Sequence, residues 1–233
     1  AAFEAASRAL VAAGLPLPQR HLAASGGIFS HDAPTLDMVR PGLAIYGLLD
    51  EALPVAGDAV AAAAELRPAM ALKARAVAFS EVPEGGTVGY GDTWAAPRPT
   101  RVAILPLGYG DGYLRGVQPG AEALVRGHRR RLVGRVSMDA VAVDVTDDPA
   151  VDQGDEFVLL GTQAGETISA AVLARSRNTI AWEVLSSMAP RLGRVYHPRA
   201  GPDHADRTSR PPAQAHQDRT RRSGSREGPG PLP

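Results

Sequence analysis

The chain has 233 residues, with 25 basic and 25 acidic side chains, 44% hydrophobic residues and no cysteine. This length suits one large domain or two modest ones, and the balanced charge gives no reason to expect a nucleic-acid partner. The lack of cysteine excludes disulfides, Cys-ligated metals and thiol catalysis, and no apolar run reaches the about 18 residues that would predict a membrane span. We therefore expect a soluble, cytoplasmic protein without membrane contact.

The start of the chain has the pattern of an α/β segment. Apolar residues recur at helical spacing: Phe3, Ala6, Leu10 and Val11. They predict a helix that ends near Gly14. A strand is expected over 20–24, followed by a break at Gly26–Gly27, and a strand–turn unit over 38–45. This alternation is typical of α/β folds but is too short to close a sheet alone.

Short strands separated by turns follow an Ala/Pro-containing connector at 48–68. The strand candidates are 70–78, 101–107, 132–136, 140–145 and 156–160. In the first of them Lys73, Arg75 and Val77 alternate with smaller or apolar residues, which is typical of a half-buried strand. Turns are expected at 83–86, 126–128 and 152–155, and two helices at about 167–175 and 179–188. The pattern predicts a small β-barrel or sandwich.

The last 36 residues, 198–233, differ from the rest in composition. They hold seven prolines, four glycines and a single large aliphatic residue, Leu232. Such a segment cannot bury enough apolar surface to offset its conformational entropy, so we predict disorder. Seven arginines against four acidic residues give it a net charge of +3. A weak nucleic-acid or membrane contact through this tail stays open, although a solvated tail or a read-through extension is the simpler interpretation.

Four segments carry residues that folding alone does not require: 40–47, 88–94, 107–113 and 134–139. Arg40 precedes Pro-Gly, which places a guanidinium beside backbone N–H groups that a ligand can approach. Tyr90 lies between two glycines and can project from a loop. The glycine-rich stretch 107–113 lacks the lysine and Ser/Thr of a phosphate loop. Three of these segments also have an ordinary structural interpretation: Arg40 as a surface arginine, Tyr90 as a core tyrosine and 134–139 as an edge strand.

Together with residues 21–25, these segments resemble the alanine racemase family in order and spacing, from about residue 1 to Tyr196. The family binds pyridoxal 5'-phosphate on a (β/α)8 barrel that is followed by a β domain. The resemblance implies an α/β plus all-β chain in four parts. They are a C-terminal remnant of the (β/α)8 barrel (1–47), a connector (48–68), a β-barrel-like C-terminal domain (69–197) and the disordered tail (198–233).

The resemblance also implies a set of cofactor-binding residues. Arg40 matches the arginine that donates to the pyridine nitrogen, and because a guanidinium keeps its protons, that nitrogen stays unprotonated. Ser25, Gly42 and Leu43 match positions that bind the cofactor phosphate. Trp182 stands where a tyrosine hydroxyl usually contacts the phosphate, and an indole cannot accept a hydrogen bond there.

On the substrate side, Tyr90 matches the tyrosine base that removes the α-proton from L-alanine. In the family this tyrosine reaches the cofactor of the other subunit, so the resemblance implies a homodimer with a shared active site. Tyr109, Arg135, Met138 and Asp139 match residues around the substrate carboxylate and the entrance. Met138 is expected to contribute its backbone N–H, so its side chain could belong to the core. No metal is implied.

The family's Schiff-base lysine has no counterpart in this chain, whose single lysine, Lys73, falls in a predicted strand. Ala24 also replaces a common asparagine. We therefore expect a racemase whose first half is absent, a fragment that is inactive alone and exposes an apolar face that promotes aggregation or dimerisation.

An isomerase that makes D-alanine for peptidoglycan is the leading hypothesis. A broad-specificity amino-acid or serine racemase, and a non-catalytic β-domain protein that pairs with an intact racemase, stay open as alternatives.

Overall fold

The computed structural model describes residues 2–30, 34–113, 115–116 and 120–197. The tail at 198–233, for which disorder is predicted, lies outside these described residues. The chain divides into two compact units, Ala1–Leu192 and Gly193–Pro233, and every helix and strand below belongs to the first.

Two helices and a pair of short parallel strands form the N-terminal part. Helix α1 spans Ala2–Ala12 and strand β1 spans His21–Ala24; helix α2, Ser25–Phe29, follows directly, and strand β2 is Met38–Arg40. The two strands pair in parallel, with Ala24 opposite Arg40. Their carboxyl ends therefore lie at one edge, where α/β folds place their ligand-binding residues.

The predicted break at Gly26–Gly27 is wrong, because both glycines lie inside α2. Neither has a positive φ. A Cβ atom at Gly26 would lie 3.2 Å from Leu53 Cδ1, so this glycine allows close packing of the helix against the connector.

The connector and the residues just before it contain local structure. A 3-10 turn spans Leu43–Tyr46, and the short helix α3 spans Val60–Ala64. Gly47 adopts a φ of 71°, and a Cβ atom there would lie only 1.7 Å from the Arg67 carbonyl oxygen. A glycine is thus required where the chain passes close to Arg67.

The remaining strands are β3 (Leu72–Arg75), β4 (Ala78–Val82), β5 (Thr100–Leu105), β6 (Glu122–Val125), β7 (His128–Val133), β8 (Val141–Asp144), β9 (Glu156–Gln163) and β10 (Glu166–Ile168). Helices α4 (Ala170–Ser176) and α5 (Ala181–Ser186) follow them.

These strands form a closed ladder. Their order is β10-β9-β6-β7-β8-β5-β4, and β3 pairs back onto β9. Strand β3 continues into β4 through Ala76 and Val77, and the Val77 N–H donates to the Ile104 carbonyl at 2.9 Å. One run of chain thus pairs with β9 through β3 and with β5 through β4, which closes the sheet, in agreement with the β-barrel-like domain expected from the sequence.

Two predicted strand boundaries are wrong, and two strands were not predicted. The single strand expected over 70–78 is divided between β3 and β4, because the chain changes partner from β9 to β5. The strand expected over 132–136 begins at His128 and ends at Val133, since Gly134 turns the chain with a φ of 68°. Strands β6 and β10 were not predicted, and they have only four and three residues.

The core fills the barrel and the space under the two C-terminal helices. Its largest fully buried side chains include Tyr113, Phe157, Leu105, Leu107 and Leu159. Leu173 of α4 and Val184 of α5 belong to the same cluster. Burial of each such side chain contributes roughly 1.5–3 kcal/mol, so this cluster holds the barrel and helices together.

The N-terminal part, in contrast, leaves apolar side chains at the surface. Helix α1 buries none of its residues, and all three residues of β2 are exposed. Leu10, Val11 and Leu15 are among the exposed large side chains. Parallel strands are normally covered on both faces. Here β2 is exposed, and the N-terminal part has the exposed apolar surface that the sequence predicted. In the described part of the chain, no helix has the length and apolar character needed to cross a membrane.

Candidate active site

Four of the five predicted cofactor-binding residues lie together at the carboxyl edge of β1 and β2. They are Ser25, Arg40, Gly42 and Leu43. The buried Ser25 hydroxyl accepts hydrogen bonds from the backbone N–H groups of Gly42, at 2.9 Å, and Ala44, at 3.2 Å. Arg40 Nη2 donates to the Leu22 carbonyl at 3.4 Å. Leu43 is buried and anchors the turn in the core.

This arrangement can bind an anion. The Ser25 hydroxyl keeps its own proton for donation, and the first N–H groups of a 3-10 turn have no partner within the turn. The exposed Arg40 guanidinium adds a permanent positive charge. A phosphate that used both Ser25 and the Gly42 amide would replace the hydrogen bond that now joins them.

Tyr90 projects from a loop that lies against Arg135. Its side chain is 70% exposed, so it is not a core tyrosine. The flanking Gly89 and Gly91 have φ values of 81° and 76°. A Cβ atom at Gly89 would lie 3.1 Å from Arg135 N, and one at Gly91 would lie 3.3 Å from Arg135 Nη1. The glycines thus give the loop its conformation and let it approach the arginine.

Tyr109 and Met138 belong to two segments in direct contact. The Tyr109 N–H donates to the Ser137 carbonyl and the Gly110 N–H to the Met138 carbonyl, both at 2.9 Å. A Cβ atom at Gly108 would lie 2.2 Å from the Ser137 oxygen, so only glycine fits there. The Met138 side chain is 53% exposed, so it is not the core residue that the sequence left open.

A bridge that the sequence did not predict holds these two segments together. Arg191 Nε donates to Asp111 Oδ1 and Arg191 Nη2 donates to Asp139 Oδ1, each at 2.7 Å. The other carboxylate oxygen of Asp111 accepts from the Gly108 N–H at 2.9 Å. Asp111 stands among three glycines, which is a weak local signal, whereas nothing around Arg191 in the sequence marks it.

The bridge also sets the ionisation of its members. Burial alone would raise the pKa of Asp111, but the hydrogen bonds from Arg191 and the Gly108 amide outweigh it and hold the pKa below its ordinary value. The hydrogen bonds to Asp111 and Asp139 raise the pKa of Arg191. Asp111 and Arg191 are therefore charged at neutral pH, and the ion pair between them is formed.

Two predicted residues lie apart from these clusters. Trp182 is on α5 and 40% exposed, and among the described residues no hydrogen bond or ring contact joins it to Ser25 or Arg40. Lys73 is on β3, where its Nζ pairs with Glu156 Oε1 at 2.8 Å. Within the described ranges, no three His, Asp or Glu side chains gather as metal ligands.

The candidate site residues thus lie in two places, at the carboxyl edge of β1 and β2 and around segment 134–139. A parallel strand pair carries the first set, and the β domain that follows carries the second. Residues 1–50 match the profile of the alanine racemase N-terminal domain, and residues 69–196 match that of the alanine racemase C-terminal domain. The chain belongs to the alanine racemase family.

Individual relatives give the same result. The chain is 43% identical over 194 residues to an alanine racemase of Desulfosudis oleivorans, an alignment that covers 83% of the chain and 48% of the relative. Against the crystal structure of the biosynthetic alanine racemase of Pseudomonas aeruginosa the TM-score is 0.67 at 39% identity, with 81% of this chain and 50% of that one covered. Against the alanine racemase of Bacillus anthracis with bound L-Ala-P it is 0.75 at 28% identity, with 85% and 50% covered. The chain spans about half the length of the curated relatives it matches.

Proposed function

We propose that the chain forms the substrate-facing half of a pyridoxal 5'-phosphate-dependent alanine racemase, an enzyme that interconverts L- and D-alanine in the cytoplasm and supplies D-alanine for peptidoglycan. One observation carries this proposal: the Tyr90 loop and the Tyr109 turn both converge on 134–139. Relatives whose structures contain L-Ala-P or cycloserine support an amino-acid-like ligand.

The residues at the carboxyl edge of β1 and β2 fit the cofactor's phosphate and pyridine ends. Ser25, Gly42 and Leu43 would hold the phosphate through a hydroxyl and backbone N–H groups, and Arg40 would donate to the pyridine nitrogen. When bound, the cofactor supplies an electron-withdrawing ring that acidifies the α-proton of the amino acid. Lys73 does not fit the role of the covalent anchor, because it lies on β3 beside Glu156, and among the described residues no hydrogen bond or ion pair joins it to Ser25 or Arg40.

Tyr90, Arg135 and Met138 act on the substrate in this proposal. The exposed Tyr90 side chain takes the α-proton as a phenolate, or returns it as a phenol, on one face of the substrate. The Arg135 guanidinium beside the loop attracts the substrate carboxylate, and the Met138 N–H donates to it. Arg191 fixes the turn that carries Tyr109, which keeps these groups in position.

The two clusters pack on one apolar core, through Leu43 and Val136, but share no polar contact in the described part of the chain, and this supports an active site that a second subunit completes. Among the described residues, no hydrogen bond, ion pair or ring contact links the Ser25–Arg40 cluster to segment 134–139. Tyr90 points to solvent on its own chain. We infer that Tyr90 serves the cofactor of a second subunit in a homodimer, as the family resemblance implies.

Subunit complementation tests this function. A full-length alanine racemase, such as the Pseudomonas aeruginosa relative, is made inactive by substituting its matching tyrosine and is then co-expressed with this chain. The relative provides the lysine and the barrel, and this chain provides Tyr90. We expect racemisation to return with the wild-type chain but not with Tyr90→Phe. A heterodimer that forms, as shown by its mass, but stays inactive would refute the role of Tyr90.

The chain alone is expected to show no racemisation with added cofactor. Turnover that disappears in both Tyr90→Phe and Lys73→Ala would instead assign the covalent anchor to Lys73. Borohydride reduction followed by mass measurement of the chain checks the same point without relying on activity.

The exposed apolar surface of α1 and β2 favours the second candidate, a non-catalytic protein that pairs with an intact racemase. Capture of an unmodified full-length racemase, without any change in its turnover, would support that role. Breadth of substrate, including a serine racemase, is tested by assaying the complemented heterodimer with serine in place of alanine.

A further inference from the structure

Arg177 is a buried cation outside the proposed active site. It caps the C-terminal end of α4, and only 6% of the residue is exposed. Its Nη1 donates to the Gly112 carbonyl at 3.2 Å, and its guanidinium carbon lies 4.5 Å from the centre of the Tyr113 ring. The side chain thus reaches from α4 to the turn that carries Tyr109 and Asp111.

One whole edge of this guanidinium lacks a partner. Arg177 Nε and Nη2 make no hydrogen bond with any described residue, and the buried Tyr113 hydroxyl makes none either. These two nitrogens point in the same direction and form the fork that binds a planar acceptor through two hydrogen bonds. Arg20 uses the same edge on Asp37, with Nε and Nη2 donating at 3.1 Å and 3.0 Å.

Burial of an uncompensated charge is costly, so an acceptor with negative charge would stabilise the unpaired edge more than a neutral one. Burial lowers the pKa of Arg177, while electrostatic interactions with Tyr113 and Glu183 act in the opposite direction. Glu183 does not fill the fork, because its carboxylate accepts from the Thr179 hydroxyl and makes no hydrogen bond to Arg177. The face of the Tyr113 ring offsets part of the charge but satisfies no N–H group.

We propose that Arg177 binds a small monovalent anion, chloride or a planar oxoanion such as nitrate or bicarbonate, through Nε and Nη2 in the protein interior. The bound anion neutralises the guanidinium and fastens the end of α4 to Gly112 and Tyr113. The turn at Gly112 packs tightly against Ser187, because a Cβ atom at Gly112 would lie 2.0 Å from the Ser187 carbonyl oxygen. The anion therefore stabilises the turn beside the active site and has no part in proton transfer.

Thermal unfolding at constant ionic strength tests this site. Sodium gluconate, whose anion is too large to enter the interior, is replaced stepwise by sodium chloride, nitrate or bicarbonate. We expect one or more of the small anions to raise the melting temperature by about 2–4 °C near saturation. Comparison of the three salts tells chloride from an oxoanion.

Two variants separate a specific site from a general salt effect. Arg177→Met should lose the anion-dependent shift. Arg175→Met, which removes an exposed arginine two residues earlier on α4 that pairs with Glu51, should keep it. Equal shifts in Arg177→Met and the wild type, or no shift in the wild type, would overturn the proposal.

Crystals of the wild-type chain grown in bromide give an answer that does not depend on whether Arg177→Met folds. We expect an anomalous peak within hydrogen-bond distance of both Nε and Nη2. Ordered water at this position, with no anomalous signal in bromide and no oxoanion density in nitrate, would refute the anion site.

Discussion

The Asp111 carboxylate fixes the Tyr109 turn through its hydrogen bonds with the Gly108 N–H and Arg191. Asp111→Asn removes the charge that Arg191 and the Gly108 amide stabilise, and we expect the free energy of unfolding at neutral pH to fall by about 1–3 kcal/mol. Because the folded-state pKa lies below the ordinary value of 3.8, the wild-type contribution is complete above that value and is lost as the pH falls below it.

Urea unfolding of the wild type and of Asp111→Asn at neutral and acidic pH measures this difference. The two stability curves should converge at low pH. A gap that stays constant across the acidic range would contradict a charge-based role for Asp111.

Tyr113 gives a second pH-dependent contribution to stability, at alkaline pH. Burial raises the pKa of its phenol from 10.0 to about 12, against a smaller opposing effect of Arg177. The neutral phenol therefore stabilises the fold fully below pH 10, and this contribution disappears as the pH rises towards 12. An absorbance titration should show a late phenolate component in the wild type, absent from Tyr113→Phe.

Individual residues differ in how far the sequence could predict them. Tyr90 could be selected because two glycines flank it, and the structure places it on an exposed loop. Arg191 could not, because its partners Asp111 and Asp139 are 80 and 52 residues away in the chain. Such a bridge depends on contacts between turns that are distant in the chain, and no local sequence pattern predicts those contacts.

At the scale of elements, the close approach of the 108–111 turn to 137–138 depends on glycine. Gly108→Ala would place a Cβ atom 2.2 Å from the Ser137 oxygen, which is backbone and cannot move aside easily. We expect a loss of roughly 1–3 kcal/mol in the free energy of unfolding, as in other overpacked sites.

Gly57→Ala is the matched control, because a Cβ atom at Gly57 meets nothing within 4 Å. Chemical denaturation of both variants should show a clear loss for Gly108→Ala and little change for Gly57→Ala. Equal stability of the two would mean that the turn can relax away from Ser137.

Helix α2 begins with a residue that cannot cap it. Ala24 occupies the N-cap position and makes no side-chain hydrogen bond to the first turn. Ala24→Asn should stabilise the N-terminal part by about 0.5–2 kcal/mol, because an amide oxygen can accept from a free N–H group. Hydrogen exchange of the α2 amides measures this effect, and faster exchange in the variant would contradict it.

The elements that the sequence predicted well are those with a strong local pattern. Helix α1 has regular apolar spacing and ends just before Gly14, whose φ is 71°. The run 70–78 was predicted as one strand because its alternation is continuous, yet its hydrogen-bond partner changes midway. The alternation of polar and apolar residues indicates which side chains are buried. Which strand pairs with which depends instead on how the whole sheet closes.

For the whole molecule, the exposed α1 surface predicts self-association. We expect sedimentation to show concentration-dependent oligomers, because Val11 and Leu15 lie at the surface beside other apolar side chains. Deletion of residues 1–17 should reduce association while leaving the melting temperature of the β domain almost unchanged, because α1 buries no residue. A large drop in melting temperature would show that α1 supports the core.

The closed ladder has a consequence for the order in which the chain can fold during synthesis. Strand β4 pairs with β5, which follows it closely, whereas β3 pairs with β9 through contacts such as Leu72 with Leu160. Strand β6 also pairs with β9, with Leu124 opposite Val158, and so lacks this partner until β9 is made. A nascent chain that has not yet released Glu156–Gln163 from the ribosome therefore holds an open barrel with two unpaired strand edges. These edges invite pairing with neighbouring chains until β9 arrives and closes the ring.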